Sequence, residues 1–119
     1  MKTLTVSLGG MTEIRSRIAA ASRKVLTGQH VDVQPSLNFG SYEDMHRVLA
    51  PSRLAIVKAL AGQGALSIRE VARRVGRDVQ AVHRDVTTLI NAGVIDRTES
   101  GVEFPYENIH FDFDVSAAA

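Results

Sequence analysis

An α+β fold is predicted for this chain: a helix-turn-helix followed by a hairpin, with a strand-helix-strand segment ahead of it and one strand behind. Three observations predict it. Apolar side chains alternate with polar ones in three short stretches, the period of a half-buried strand. Between them apolar residues recur every three to four positions, in stretches opened by Ser, Thr, Asp or Pro and several of them closed by Gly, as capped helices do. The 119 residues are 45% hydrophobic, enough for one small core and too apolar for a disordered chain.

Leu4, Val6 and Leu8 alternate with Thr3, Thr5 and Ser7 to give the first strand. Thr12, after Gly9-Gly10, caps a helix with Ile14, Ile18, Ala21 and Val25 on one side. Glu13 in its first turn and Arg23 and Lys24 in its last complement the helix dipole, and Gly28 stops it. Val31, Val33, Leu37 and Phe39 alternate again, and Pro35, which has no N–H, places this strand at an edge or bends it. Residues 1–40 thus read as a strand-helix-strand extension, a candidate dimerisation or partner-docking segment, and residues 41–116 as the second unit. Ser41 opens a short helix carrying Tyr42, Met45 and Leu49. Pro51 suits the first turn of the next, with Leu54, Val57, Leu60 and Ala61 at helical spacing and Gly62 and Gly64 at its end.

Ser67-Ile68-Arg69-Glu70 spells a capping box, in which the serine oxygen takes a backbone N–H and the glutamate reaches back to the serine N–H. The helix it opens buries Ile68, Val71, Ala72 and Val75 and breaks at Gly76-Arg77. Asp78 caps a second helix with Val79, Val82, Val86, Leu89 and Ile90 inward, ended by Gly93. Two such helices joined by three to four residues containing Gly form a helix-turn-helix. Val94–Thr98 and Val102–Tyr106, around the turn Glu99-Ser100-Gly101, read as a hairpin, and Ile109, Phe111, Phe113 and Val115 as a last strand.

The net charge of +1 conceals segregation. Residues 1–95 hold 13 Lys+Arg against 7 Asp+Glu, net +6, and residues 96–119 hold one basic residue against six acidic ones, net −5. The densest basic stretch runs from Ser67 to Arg84 and contains Arg69, Arg73, Arg74, Arg77 and Arg84. A guanidinium fork suits phosphates and guanine edges. On the second helix Gln80, Arg84, Thr87 and Asn91 lie opposite the core side, with Ala81 and Thr88 on one flank and His83 on the other. Small and hydrogen-bonding side chains with one arginine suit a helix entering a major groove, although a solvated helix face is the alternative use of such a pattern.

The run Ser67-Ile68-Arg69-Glu70-Val71-Ala72-Arg73-Arg74-Val75-Gly76-Arg77-Asp78-Val79-Gln80-Ala81-Val82-His83-Arg84-Asp85-Val86, followed by Leu89 and Ala92-Gly93-Val94-Ile95, resembles a prokaryotic winged helix-turn-helix of the MarR/ArsR type. More closely, residues 39–115 are similar to a group of small bacterial and archaeal regulators, some of which resemble antitoxins. That resemblance implies a winged helix-turn-helix with Gln80, Ala81, His83 and Arg84 reading the groove. It implies phosphate contacts from Arg69 and Arg77 and a wing containing Arg97 and Ser100-Gly101. Asp96 and Glu99 beside Arg97 depart from a basic wing and leave the attraction to the helix-turn-helix. Arg73, Arg74, Thr87 and Thr88 complete the candidate DNA-binding set.

Other chemistries find little support. There is no Cys, hence no disulfide, thiolate metal site or cysteine nucleophile. His30, His46, His83 and His110 fall on separate predicted elements, without metal-ligand spacing. Gly62-Gln63-Gly64 lacks the third glycine of a dinucleotide fingerprint, and no P-loop or G-x-S-x-G is present. No enzyme activity, cofactor or metal is expected, and no apolar run reaches the ~20 residues needed to cross a bilayer. The expectation is a cytoplasmic, homodimeric regulator of transcription, a repressor, on a palindromic double-stranded DNA operator. The alternative is an antitoxin or interaction module that docks a cognate toxin or other protein, with DNA binding autoregulatory or incidental.

Overall fold

The computed structural model describes residues 2–9 and 35–114. In chain order they form β1 (Thr3–Leu8), β2 (Ser36–Phe39), α1 (Tyr42–Val48), α2 (Pro51–Leu60), α3 (Ile68–Val75), α4 (Val79–Asn91), β3 (Asp96–Thr98), β4 (Gly101–Glu103) and β5 (Asn108–Asp112). The fold is mixed α/β. The predicted helix over Ile14–Val25, the residues Val31 and Val33, and Val115 lie outside the described residues.

β1 is the middle of a parallel three-stranded sheet ordered β2-β1-β5, with Val6 level with Leu37 on one side and Phe111 on the other. The edge position of β2 agrees with Pro35, whose carbonyl still accepts the Thr5 N–H at 3.0 Å. The sheet joins strands from both sides of residue 40, because β5 belongs to the sequence after the helices. Its middle strand is less simply half-buried than the alternation suggests. Leu4 and Val6 are buried, but so is Ser7, whose hydroxyl lies 3.3 Å from the Asn38 side-chain oxygen and donates to it. Parallel strands are commonly covered on both faces.

The helices start where capping chemistry places them. Ser41 Oγ accepts the Asp44 N–H at 3.1 Å, and Pro51 occupies the first turn of α2, where a missing N–H is harmless. One core runs through the molecule, from Leu4 and Val6 past Ile56, Val57 and Leu60 of α2 to Val82, Val86 and Leu89 of α4. Fully burying each such side chain contributes roughly 1.5–3 kcal/mol, so the inward stripe of α4 fixes which face remains outside.

The hairpin strands are shorter than the alternation predicts. Val94 and Ile95 are buried ahead of β3, and Phe104 turns inward after β4, meeting Tyr106 edge-on at 5.2 Å. β4 gains a second neighbour that the sequence did not announce. Leu66, just before α3, exchanges both backbone hydrogen bonds with Val102, at 2.9 and 2.8 Å. That close approach explains Gly101: at φ 143°, a Cβ there would lie 2.1 Å from the Leu66 carbonyl oxygen.

Candidate nucleic-acid interface

α3 and α4 are joined through Gly76-Arg77-Asp78. Ser67 Oγ accepts the Glu70 N–H at 3.1 Å. The expected return bond from Glu70 to the Ser67 N–H is replaced by another: the carboxylate is held by Arg73 and Arg74 on its own helix. A guanidinium one turn away is a stronger partner for an ionised carboxylate than a neutral N–H. At the other end, Gly76 stands in the left-handed region at φ 68°, and the N–H groups of Gly76 and Arg77 return to the carbonyls of Arg73 and Ala72. This Schellman closure satisfies the last carbonyls of α3 and turns the chain sharply. Asp78 then accepts the N–H groups of Gln80 and Ala81 at 3.0 and 3.2 Å, opening α4 at once.

The 13 residues of α4 make a rod of roughly 20 Å. Val82, Val86 and Leu89 are fully buried on its inner side, and Gln80, His83, Arg84 and Asn91 are exposed on its outer side. Ala81 flanks that surface, half-buried. Thr87 and Thr88 lie beside it too, but their hydroxyls donate to the carbonyls of His83 and Arg84 at 3.0 and 3.2 Å. Each therefore reaches outward mainly as a methyl group and an acceptor. The second helix end repeats the first, with Gly93 at φ 83° and the Val94 N–H bonded to the Leu89 carbonyl.

The arginines divide into two kinds. Arg69 and Arg84 are exposed and enter no ion pair among the described residues. Arg73 and Arg74 share Glu70, and Arg74 also donates to Gln63 Oε1 at 3.0 Å. These two hydrogen bonds, Arg73 first, hold the Glu70 carboxyl at about 2, and the same contact raises Arg73 above its ordinary value. Arg77 lies 2.7 Å from Asp85, whose other oxygen takes Arg53 at 3.2 Å. Arg53 in turn donates to the carbonyls of Arg47 and Val48 at the end of α1.

Asp85 and Arg53 are the site residues that sequence reasoning missed. Both are mostly buried, at 14% and 19% side-chain exposure. A signal existed: Asp85 falls three residues after one inward valine and four before Leu89, beside the core stripe, where a carboxylate needs a cation. Arg97 lies exposed on β3 between the exposed Asp96 and the hairpin tip, with Glu99 also exposed. The structure thus gathers Gln80, His83 and Arg84 on one helix face, with Arg69 and Arg73 exposed on α3. Arg77 is engaged inward.

A family model, HVO_A0114, matches residues 48–111, more than half of the chain. The chain belongs to the HVO_A0114 family. The HVO_A0114 segment runs from the last residue of α1 into β5, so it contains α2, α3, α4 and the hairpin but neither β1 nor β2. No curated protein and no solved structure matches the chain. Among the described residues no helix is long and apolar enough to cross a membrane, and no three His, Cys, Asp or Glu side chains are grouped to hold a metal ion.

Proposed function

We propose that the chain is a sequence-specific double-stranded DNA-binding regulator of transcription, a repressor that works as a homodimer on a palindromic operator in the cytoplasm. In this proposal α3, α4 and the β3–β4 hairpin act as a winged helix-turn-helix, with α4 as the recognition helix. The observation that carries it is the outer face of α4. Gln80, His83 and Arg84 stand exposed there, while the nearest carboxylates, Asp78 and Asp85, are occupied by backbone N–H groups and by Arg53 and Arg77. Arg84 offers a bidentate contact to guanine and Gln80 one to adenine, each contributing ~1–3 kcal/mol of discrimination. Arg69 supplies a phosphate contact that sets register without reading sequence.

Selection of binding duplexes from random or genomic DNA with purified protein, followed by footprinting, is the direct test. Arg84→Ala is expected to weaken binding of the selected duplex by roughly tenfold to a hundredfold and to relax preference at one base pair. Equal binding of wild type and Arg84→Ala to every duplex would refute base readout. A second function, docking of a cognate toxin or other protein, is favoured by the acidic wing, where Asp96 and Glu99 are exposed beside Arg97. Under that alternative duplex binding is weak and no site is protected.

A further inference from the structure

β5 is an outer strand of the parallel sheet: β1 lies along one side, and among the described residues no strand pairs with the other. Its backbone phase follows from one hydrogen bond. The Thr5 N–H donates to the Pro35 carbonyl on the β2 side at 3.0 Å, so Leu4 and Val6, turned the opposite way, face β5. In a parallel pair the residue level with one that faces the partner strand faces away from it. Ile109 and Phe111, level with Leu4 and Val6, therefore turn their N–H and C=O groups outward, and Asn108, His110 and Asp112 turn theirs to β1. An edge of this kind is a template for another strand.

The side chains beside this edge separate by face. Asn108, His110 and Asp112 are exposed on one. On the other, Phe111 and Phe113 border an apolar groove of about 490 Å³ shared with Tyr42, Met45 and Leu54. Phe113 meets Tyr42 edge-on at 6.0 Å and Phe111 edge-on at 6.3 Å, and Tyr42 is 47% exposed.

We propose that a second copy of this chain adds its β5 antiparallel to this edge, related by a two-fold axis at Phe111, so that two three-stranded sheets become one. The inference deepens the dimer of the proposed function and rests on that reading for its two-fold symmetry. The register is selected by the side chains. Centred on Phe111, it sets Phe111 against Phe111, Ile109 against Phe113, and His110 against Asp112 twice, once on each side of the axis. Every apolar residue then meets an apolar one, and each Asp112 meets a side chain that can donate to it. Centred on His110 instead, it sets His110 against itself and Phe113 against Glu107. In the Phe111 register the outward groups of Phe111 pair with those of its copy, and His110 and Asp112 sit at non-hydrogen-bonded positions, where facing side chains approach most closely. The aromatic rings of the second copy come to lie beside the groove, and such a contact is isologous and closes.

Sedimentation equilibrium of the full chain tests this, with circular dichroism as the check on folding. Wild type is expected to be a dimer at ~10 µM, and His110→Asp, which sets like charges opposite each other twice, to weaken it roughly tenfold. The exchange His110→Asp with Asp112→His restores opposite partners and is expected to return the dissociation constant to within about threefold of wild type. Ile109→Pro removes an N–H that faces away from β1 and is expected to weaken the dimer without introducing charge. A monomer at ~100 µM, a dimer indifferent to both single substitutions, or an exchange that fails to restore pairing overturns the proposal. Binding of a single half-site duplex is measured on the same samples. A monomer that binds the half-site overturns the dimer and leaves the DNA-binding proposal standing; a dimer that binds no duplex does the reverse.

Discussion

Two carboxylates in this protein each hold two arginines, and they do so in opposite circumstances. Asp85 of α4 takes Arg53 of α2 and Arg77 of the turn, with 14% of its side chain exposed. Glu70 of α3 takes Arg73 and Arg74 of its own helix, three and four residues away, at the surface. The chemistry is the same, but the consequences differ because solvent differs. A surface pair on one helix contributes little and is screened by salt. A desolvated carboxylate between two cations from separate elements cannot lose its charge without leaving both cations unpaired. The first arrangement adjusts how much positive charge α3 shows, and the second sets where α4 stands.

The largest expected effect follows from breaking the inner cluster. Asp85→Asn keeps the shape and removes the charge that Arg53 and Arg77 share. It is expected to lower stability by about 2–3 kcal/mol, somewhat below the value for a fully buried pair because Arg77 retains 32% exposure. Urea denaturation checks this. A loss within the ~0.5 kcal/mol of ordinary surface substitutions would erase the distinction between the two clusters.

A third carboxylate sharpens the comparison by holding no arginine at all. Asp78 accepts two backbone N–H groups at the start of α4, so Asp78→Ala is expected to cost about 1 kcal/mol. Its effect should be insensitive to salt, since no ion pair is lost. Denaturation at low and high salt separates it from Asp85→Asn.

These differences mark how far the sequence alone could go. Ser41, Ser67 and Asp78 were legible as caps because a cap is local: the side chain and the N–H it binds lie within three residues. The glycine breaks after α3 and α4 were legible for the same reason. The outward face of α4 followed from periodicity, which burial of Val82, Val86 and Leu89 bears out, whereas Val79, expected inward, stands 42% exposed in the first turn, ahead of the core. What could not be read was pairing at a distance. The bond between Leu66 and Val102 and the parallel pairing of β1 with β5 leave little local pattern. Nor does the count of five arginines between residues 67 and 84 reveal that three of them already have acidic partners inside the protein.

That last point yields the smallest and most discriminating prediction, at Glu70. The hydrogen bonds from Arg73 and then Arg74 hold its carboxyl at about 2, against an ordinary value of 4.5. A carboxyl lowered on folding contributes stability that is fully present above its unfolded value and fades as pH falls toward the folded one. The contribution to α3 is therefore expected to be constant above about pH 5 and to be lost between about 4.5 and 2. A carboxyl carbon titration by NMR checks the value directly, and a midpoint near 4.5 would show that the pair is absent in solution. Glu70→Gln removes this pH component at little expense in stability, because the pair is open to water. Its effect on nucleic acid is opposite in sign to that of removing an arginine. Arg73, freed from its partner, becomes available to phosphate, so the slope of log K against log salt is expected to steepen by up to about 0.9. Binding of unrelated duplexes should tighten with it, while preference among sequences stays with Gln80 and Arg84 on the neighbouring helix. If affinity for unrelated and selected duplexes is unchanged by Glu70→Gln, α3 does not face the phosphates, and the basic stretch serves the fold rather than a ligand.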